Sequence, residues 1–235
     1  MIAIARCMSR VLIGAALAAW SCAAVSHAAE RTGGEVREYE VICQGKPAGD
    51  VVTNIVDTSD GLTTVSTDTV LTIDFIVYTY RYEFHGREVW RGDRIASVDN
   101  RAIDGRTKLS LSARIDSRGS TIEVPGKTTT SGPAVAMTTN YWHAPAGAKG
   151  SPLVLLDADQ GVLHNARIED VTSEQIPVAG RVEHCTHYRL RGGLTADLWF
   201  DDQSRLVRQQ SIEDGYPVEL RLTRLARDES QVVSR

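Results

Sequence analysis

The feature that most constrains this chain is an alternation of apolar and polar residues with period two, broken by turn residues roughly every ten positions. No apolar pattern of helical period runs long enough for an ordinary helix. Tyr39, Val41 and Cys43 alternate with Glu38, Glu40 and Ile42, and Gln44 to Gly49 then reads as a turn. Val51 to Asp57 alternates again, and Thr63 to Ile73 is dense in the β-branched residues that suit a pleated surface. Further turns are expected at Ser59-Asp60-Gly61, Arg91-Gly92-Asp93, Asp104-Gly105, Asp116 to Gly119, Asp201 to Ser204 and Asp214-Gly215. Lys127 to Asn140, rich in threonine, reads as a loop. Leu153 to Asp157 fits either a short buried strand or one helical turn. The expectation is an all-β chain: one antiparallel domain of about ten strands, a strongly curved sheet or flattened barrel, because an open sheet of that size leaves vulnerable edges.

The amino terminus is of a different kind. Arg6 and Arg10 precede the uncharged run Val11 to Val25, which is too short and too interrupted for a spanning helix. Ser26 and Ala28 stand at −3 and −1 of a cleavage site after Ala28, so residues 1–28 read as a cleavable secretory signal. Lipidation at Cys22 is disfavoured by Trp20, where a small residue is wanted. Residues 29–227 would then form the β domain and residues 228–235 a flexible tail, with no transmembrane span after cleavage and a periplasmic or secreted location.

Removal of residues 1–28 leaves 207 residues with 24 basic and 30 acidic side chains, a net charge of −6. No basic cluster appears, which argues against nucleic acid as a partner. The mature chain keeps two cysteines, Cys43 and Cys185, which can pair in an oxidising compartment. A bridge would close a loop of about 140 residues, worth roughly 4–5 kcal/mol in the chain-entropy view. The alternative is two buried free thiols on separate strands.

The most informative segment is Asp74 to Trp90. Ile76, Tyr78, Tyr80, Tyr82 and Phe84 alternate and would share one strand face. They are read either as a core ladder or as the wall of a cavity for an apolar or sugar-like ligand. Glu88 and Trp90 share a face just before the next turn; Glu88 has no second carboxylate at defined spacing and is not assigned catalysis. His184 and His187 would point to opposite faces of a strand and so could not both bind one metal ion. Asp157, Asp159, Gln160 and Gly161 resemble a fragment of a calcium loop without its distal glutamate, and read as a turn. No Gly-x-Ser-x-Gly and no phosphate-cradling glycine loop occurs.

Several blocks in order carry a resemblance. They are Tyr78-Thr-Tyr80-Arg-Tyr82 with Glu88-Val-Trp90-Arg-Gly92, then Tyr141-Trp142, then Leu155-Leu156-Asp157 with Gly161, then Tyr188-Arg-Leu190-Arg-Gly192 leading to Asp197-Leu-Trp199-Phe200-Asp201. Together they resemble an exported bacterial family known as domain of unknown function 6134. His143 and Phe200 stand where the resemblance leads one to expect Asn and Tyr. The resemblance implies an exported β-rich domain and supplies no activity.

The expected function is therefore a non-catalytic binder or carrier, with no cofactor and no metal. Its ligand would be an apolar or amphipathic small molecule held against Tyr78, Tyr80, Tyr82, Trp90, Trp142 and Trp199. The alternative is a structural or partner-binding module of the cell envelope. A hydrolase using Glu88 or Asp157 with His143 ranks third.

Overall fold

The computed structural model describes residues 31–127 and 129–228. The signal segment, Cys22 and residues 229–235 of the expected tail lie outside them. Fifteen strands and no helix occur among the described residues: β1 (Arg31–Cys43), β2 (Lys46–Thr58), β3 (Leu62–Asp74), β4 (Thr79–Arg91), β5 (Arg94–Asp104), β6 (Thr107–Asp116), β7 (Gly119–Glu123), β8 (Thr130–Gly132), β9 (Met137–Thr138), β10 (Pro152–Leu156), β11 (Leu163–Val178), β12 (Arg181–Gly192), β13 (Ala196–Phe200), β14 (Leu206–Glu213) and β15 (Tyr216–Asp228). Ten of them have eight residues or more, and these are the ones long enough to show alternation. The expected count of about ten is corrected to fifteen by β7, β8, β9, β10 and β13, which run from two to five residues. Two of these, β8 and β9, fall inside the stretch read as a loop, and Leu153 to Leu156 resolves as a strand.

All fifteen strands belong to one sheet, in the order β8-β7-β6-β5-β4-β3-β2-β1-β15-β14-β13-β12-β11-β10-β9. Every ladder but one joins strands adjacent in sequence; the exception is the β1–β15 ladder at the centre. Pairing is antiparallel except between β9 and β10. The ladder does not close: β8 and β9 are both end strands.

The sheet packs its core on one face. On β4, Tyr80, Tyr82, Phe84, Glu88 and Trp90 are buried while Arg81, His85 and Arg87 are exposed, as a half-buried strand requires. Gly86 breaks the inward row for a steric reason. A Cβ there would lie 2.6 Å from the Phe84 ring, which folds across it.

The connection from β8 to β11 fills the inner side of the sheet. Thr138 and Asn140 bond to Glu88 of β4, Ala158 accepts from Asn100 of β5, and Asp159 accepts from Tyr82. Arg37 of β1 donates to the carbonyl of Trp142. Within this filling segment Tyr141 is buried in left-handed backbone at φ 47°, a rare conformation for a bulky residue that only firm surroundings hold.

Cys43 and Cys185 are both buried free thiols, so the bridge is not formed. They lie on β1 and β12, four strand steps apart in the sheet. At about 4.8 Å per step, that is beyond the ~7 Å Cα separation a disulfide tolerates.

Candidate functional site

Between the inner faces of β1–β4, the filling segment and the β14–β15 hairpin lies a cavity of about 70 Å³. Alternation builds one wall: Val51 and Thr53 on β2, Thr67 and Thr69 on β3, Tyr82 and Phe84 on β4. The filling segment supplies Asn140, Trp142 and Asp159, and β14 supplies Gln209, Ser211 and Glu213. The lining is thus mixed, with aromatic and aliphatic surface interleaved with hydroxyl, amide and carboxyl groups.

Four buried side-chain polar atoms among the described residues have no hydrogen-bond partner: Trp142 Nε1, His143 Nε2, Asp159 Oδ1 and Ser211 Oγ. Three of these residues, Trp142, Asp159 and Ser211, line the cavity. A buried polar group left unpaired costs roughly 1–3 kcal/mol, so their convergence on one space is informative.

Asp159 is 3% exposed, and its Oδ2 accepts from the Tyr82 hydroxyl at 3.0 Å. Asp157 lies behind it. Its Oδ1 accepts from the backbone N–H groups of Asp159 and Gln160, and its Oδ2 lies 3.4 Å from His164 Nε2. Burial and the neighbouring Asp157 carboxyl push Asp159 well above the usual carboxylate range. Burial acts on Asp157 in the same direction, but hydrogen bonds from His164 and Asp159 outweigh it and hold Asp157 below that range. Burial likewise raises Glu213.

A second inner acid is fully used. Glu88 is 1% exposed and accepts from Trp90 Nε1 at 2.9 Å and from Thr138 and Asn140 at 2.6 Å each. Burial raises its pKa against those bonds. Trp90 packs edge-on against both Trp142 and His143. His143 donates Nδ1–H to the Ala144 carbonyl and is bonded to neither Glu88 nor Asp157; the histidine beside Asp157 is His164.

The residues expected at a ligand wall separate into groups. Tyr82 and Trp142 reach the cavity, and Trp90 lies behind Trp142. Tyr80 is buried, with its hydroxyl on Asp104 at 2.7 Å. Tyr78 is not on the strand face: β4 begins at Thr79, and Tyr78 sits half-exposed in the preceding loop, stacked on Phe75 at 4.7 Å. Trp199 lies on the outer face, stacked on His187 at 4.1 Å and donating to Glu174. His187 also bonds Glu174 and Asp197, whereas His184 bonds Ser173 from the other face. Sequence reasoning reads Asp159 as part of a turn and misses Ser211 and Glu213, which lie on β14. The signal that could have found Asp159 is a carboxylate pair directly after the apolar run Leu153–Leu156.

A family model described as a domain of unknown function, DUF6134, matches residues 39–223. Among curated proteins nothing matches. Among solved structures, the chain is similar to a β-barrel-like protein of domain of unknown function DUF1849 from Brucella abortus. The identity is 11% and the TM-score 0.60, over 86% of this chain and all of that one. It also matches a putative outer membrane lipoprotein-sorting protein domain from Vibrio parahaemolyticus at 7% identity and a TM-score of 0.27, over 85% of this chain and 87% of that one. The first likeness supports the fold described above and nothing finer.

Proposed function

The chain belongs to the DUF6134 family of unknown function, and on that footing we propose that it is an exported, non-catalytic binding domain whose inner cavity takes a small amphipathic molecule. One observation carries this reading: Trp142 Nε1, Asp159 Oδ1 and Ser211 Oγ are buried and unpartnered, and their side chains line the same cavity. A ligand with donors and acceptors would pair all three, while Phe84, Val51 and Trp142 would cover its apolar part. A cavity of about 70 Å³ has room for roughly five waters, so the ligand enters only by a small end or fragment.

The test is native mass spectrometry on mature protein taken from its own periplasm, before and after denaturation. Extra mass that leaves on denaturation is expected, and Trp142→Ala with Asp159→Asn should reduce it. A bare mass from a folded sample would sink the reading.

A second reading, a partner-binding module of the cell envelope, is favoured by the loop between β3 and β4. Its Ile76 and Val77 are almost wholly exposed, above a base locked by the Phe75 N–H to Tyr78 carbonyl bond. A bare mass together with a co-purifying envelope protein, lost on Ile76→Ser with Val77→Ser, would favour it.

A further inference from the structure

The wall of the cavity carries two carboxyl groups, Asp159 and Glu213, and no lysine, arginine or histidine. The nearby Arg37 is committed to Glu35 and to the Trp142 carbonyl. His164 meets Asp157 at Oδ2, while Asp157 contacts Asp159 through the Asp159 backbone N–H and through its carboxyl. Tyr39, Tyr82, Phe84 and Trp142 also line the space. Acids with no basic side chain beside them in the lining, enclosed by aromatic rings, are the chemistry that recognises an organic ammonium group.

We propose that the cavity binds a small organic cation, its ammonium group set against Asp159 and Glu213. The inference rests on the binding reading above and names its ligand class. Asp159 Oδ1, which no N–H or hydroxyl of the protein reaches, accepts from the ammonium once its proton has left, and Ser211 Oγ supplies a second acceptor. An anion would find no lysine, arginine or histidine in the lining to receive it. Among the described residues no three His, Cys, Asp or Glu side chains gather as a metal site would need. The space limits the ligand to an ammonium carrying a few carbons and an acceptor for Trp142 Nε1.

Protonation follows from the same arrangement. Asp159 faces Tyr82, Tyr80 and Asp157, and Glu213 faces Asp157, Tyr141 and Asp214. None of these supplies positive charge. Burial pushes Asp159 up to about 8 and raises Glu213, so an arriving ammonium displaces the Asp159 proton to solvent.

The test is isothermal titration of the mature chain, residues 29–235, with ethanolammonium and with 1,2-ethanediol, its neutral twin in size. The cation is expected to bind at least about ten-fold more tightly than the diol. Its binding should release protons, read from two buffers of different ionisation enthalpy. Asp159→Asn and, separately, Glu213→Gln should each weaken it by about ten-fold, with circular dichroism showing that both fold. Equal affinity for the diol, or unchanged affinity in both folded variants, overturns the inference. A neutral molecule found bound by native mass spectrometry overturns it too, while leaving the binding reading intact. A bare mass with no response to either probe overturns both.

Discussion

The inner wall and the outer face of this sheet treat carboxylates in opposite ways. Inside, Glu88, Asp159 and Glu213 are buried away from any guanidinium, and burial raises all three. Outside, on β11 to β15, acids are woven among cations and an indole. His187 lies between Glu174 and Asp197 at 2.8 Å each, Arg208 sits 5.0 Å over the Trp199 ring, and both Arg208 and Arg221 bond Glu219. The outer acids are lowered. Glu174 is held down by the Trp199 and His187 hydrogen bonds. For Asp197 and Glu219, burial pushes upward and is outweighed by His187 and the arginines. The difference teaches where to look for function. The outer acids are satisfied by N–H donors of their own neighbours, whereas no N–H or hydroxyl reaches Asp159 Oδ1 at the cavity.

The largest expected effect comes from removing an inner acid that is already satisfied. Glu88→Ala should cost about 4 kcal/mol in urea unfolding, since it strands Trp90 Nε1, Thr138 Oγ1 and Asn140 Nδ2. A loss near that of a surface substitution would break the contrast. Trp199→Ala should cost about 3 kcal/mol through its lost stack and cavity, with ligand binding at the inner site unchanged. Loss of binding would mean that the two faces are coupled.

The pH response sharpens the comparison further. Asp159 is raised in the folded state, so its stabilisation is full below the unfolded value of about 4 and is lost as pH rises through the folded value. Asp159→Asn should therefore flatten the fall in melting temperature on going from acid to neutral pH. Glu219 is lowered, so its contribution is present above the unfolded value and disappears as pH falls. Glu219→Gln should instead flatten the acid limb of the same curve. Smallest of all, the exposed pair His85–Asp68, 2.7 Å apart, should contribute no more than about 0.5 kcal/mol in a double-mutant cycle.

Where strands are long, alternation in the sequence carries the fold. It places Tyr80, Tyr82, Phe84, Glu88 and Trp90 on one face, as the structure does. It misleads at Tyr78 because the alternating pattern runs on through the turn that precedes β4. At β13 the run Leu198-Trp199-Phe200 is apolar throughout, so parity is hidden and nothing local tells that the indole faces outward. The cavity was legible only in part. Tyr82 and Trp142 were named from aromatic density. Asp159, Ser211 and Glu213 come together from segments about fifty residues apart that only the curvature of one sheet unites.

The β1–β15 ladder has a consequence for how such a chain reaches its folded state. It joins Gly34 to Asp228, nearly the two ends of the described chain, and it sits at the centre of the sheet. All other ladders connect strands adjacent in sequence and can zip as soon as both partners emerge. A chain that emerges amino terminus first would therefore hold β1 half-paired, its free edge exposed, until the last strand arrives. In that interval the molecule is open to chaperones and to mispairing with a second copy, and completion waits on the final thirteen-residue strand.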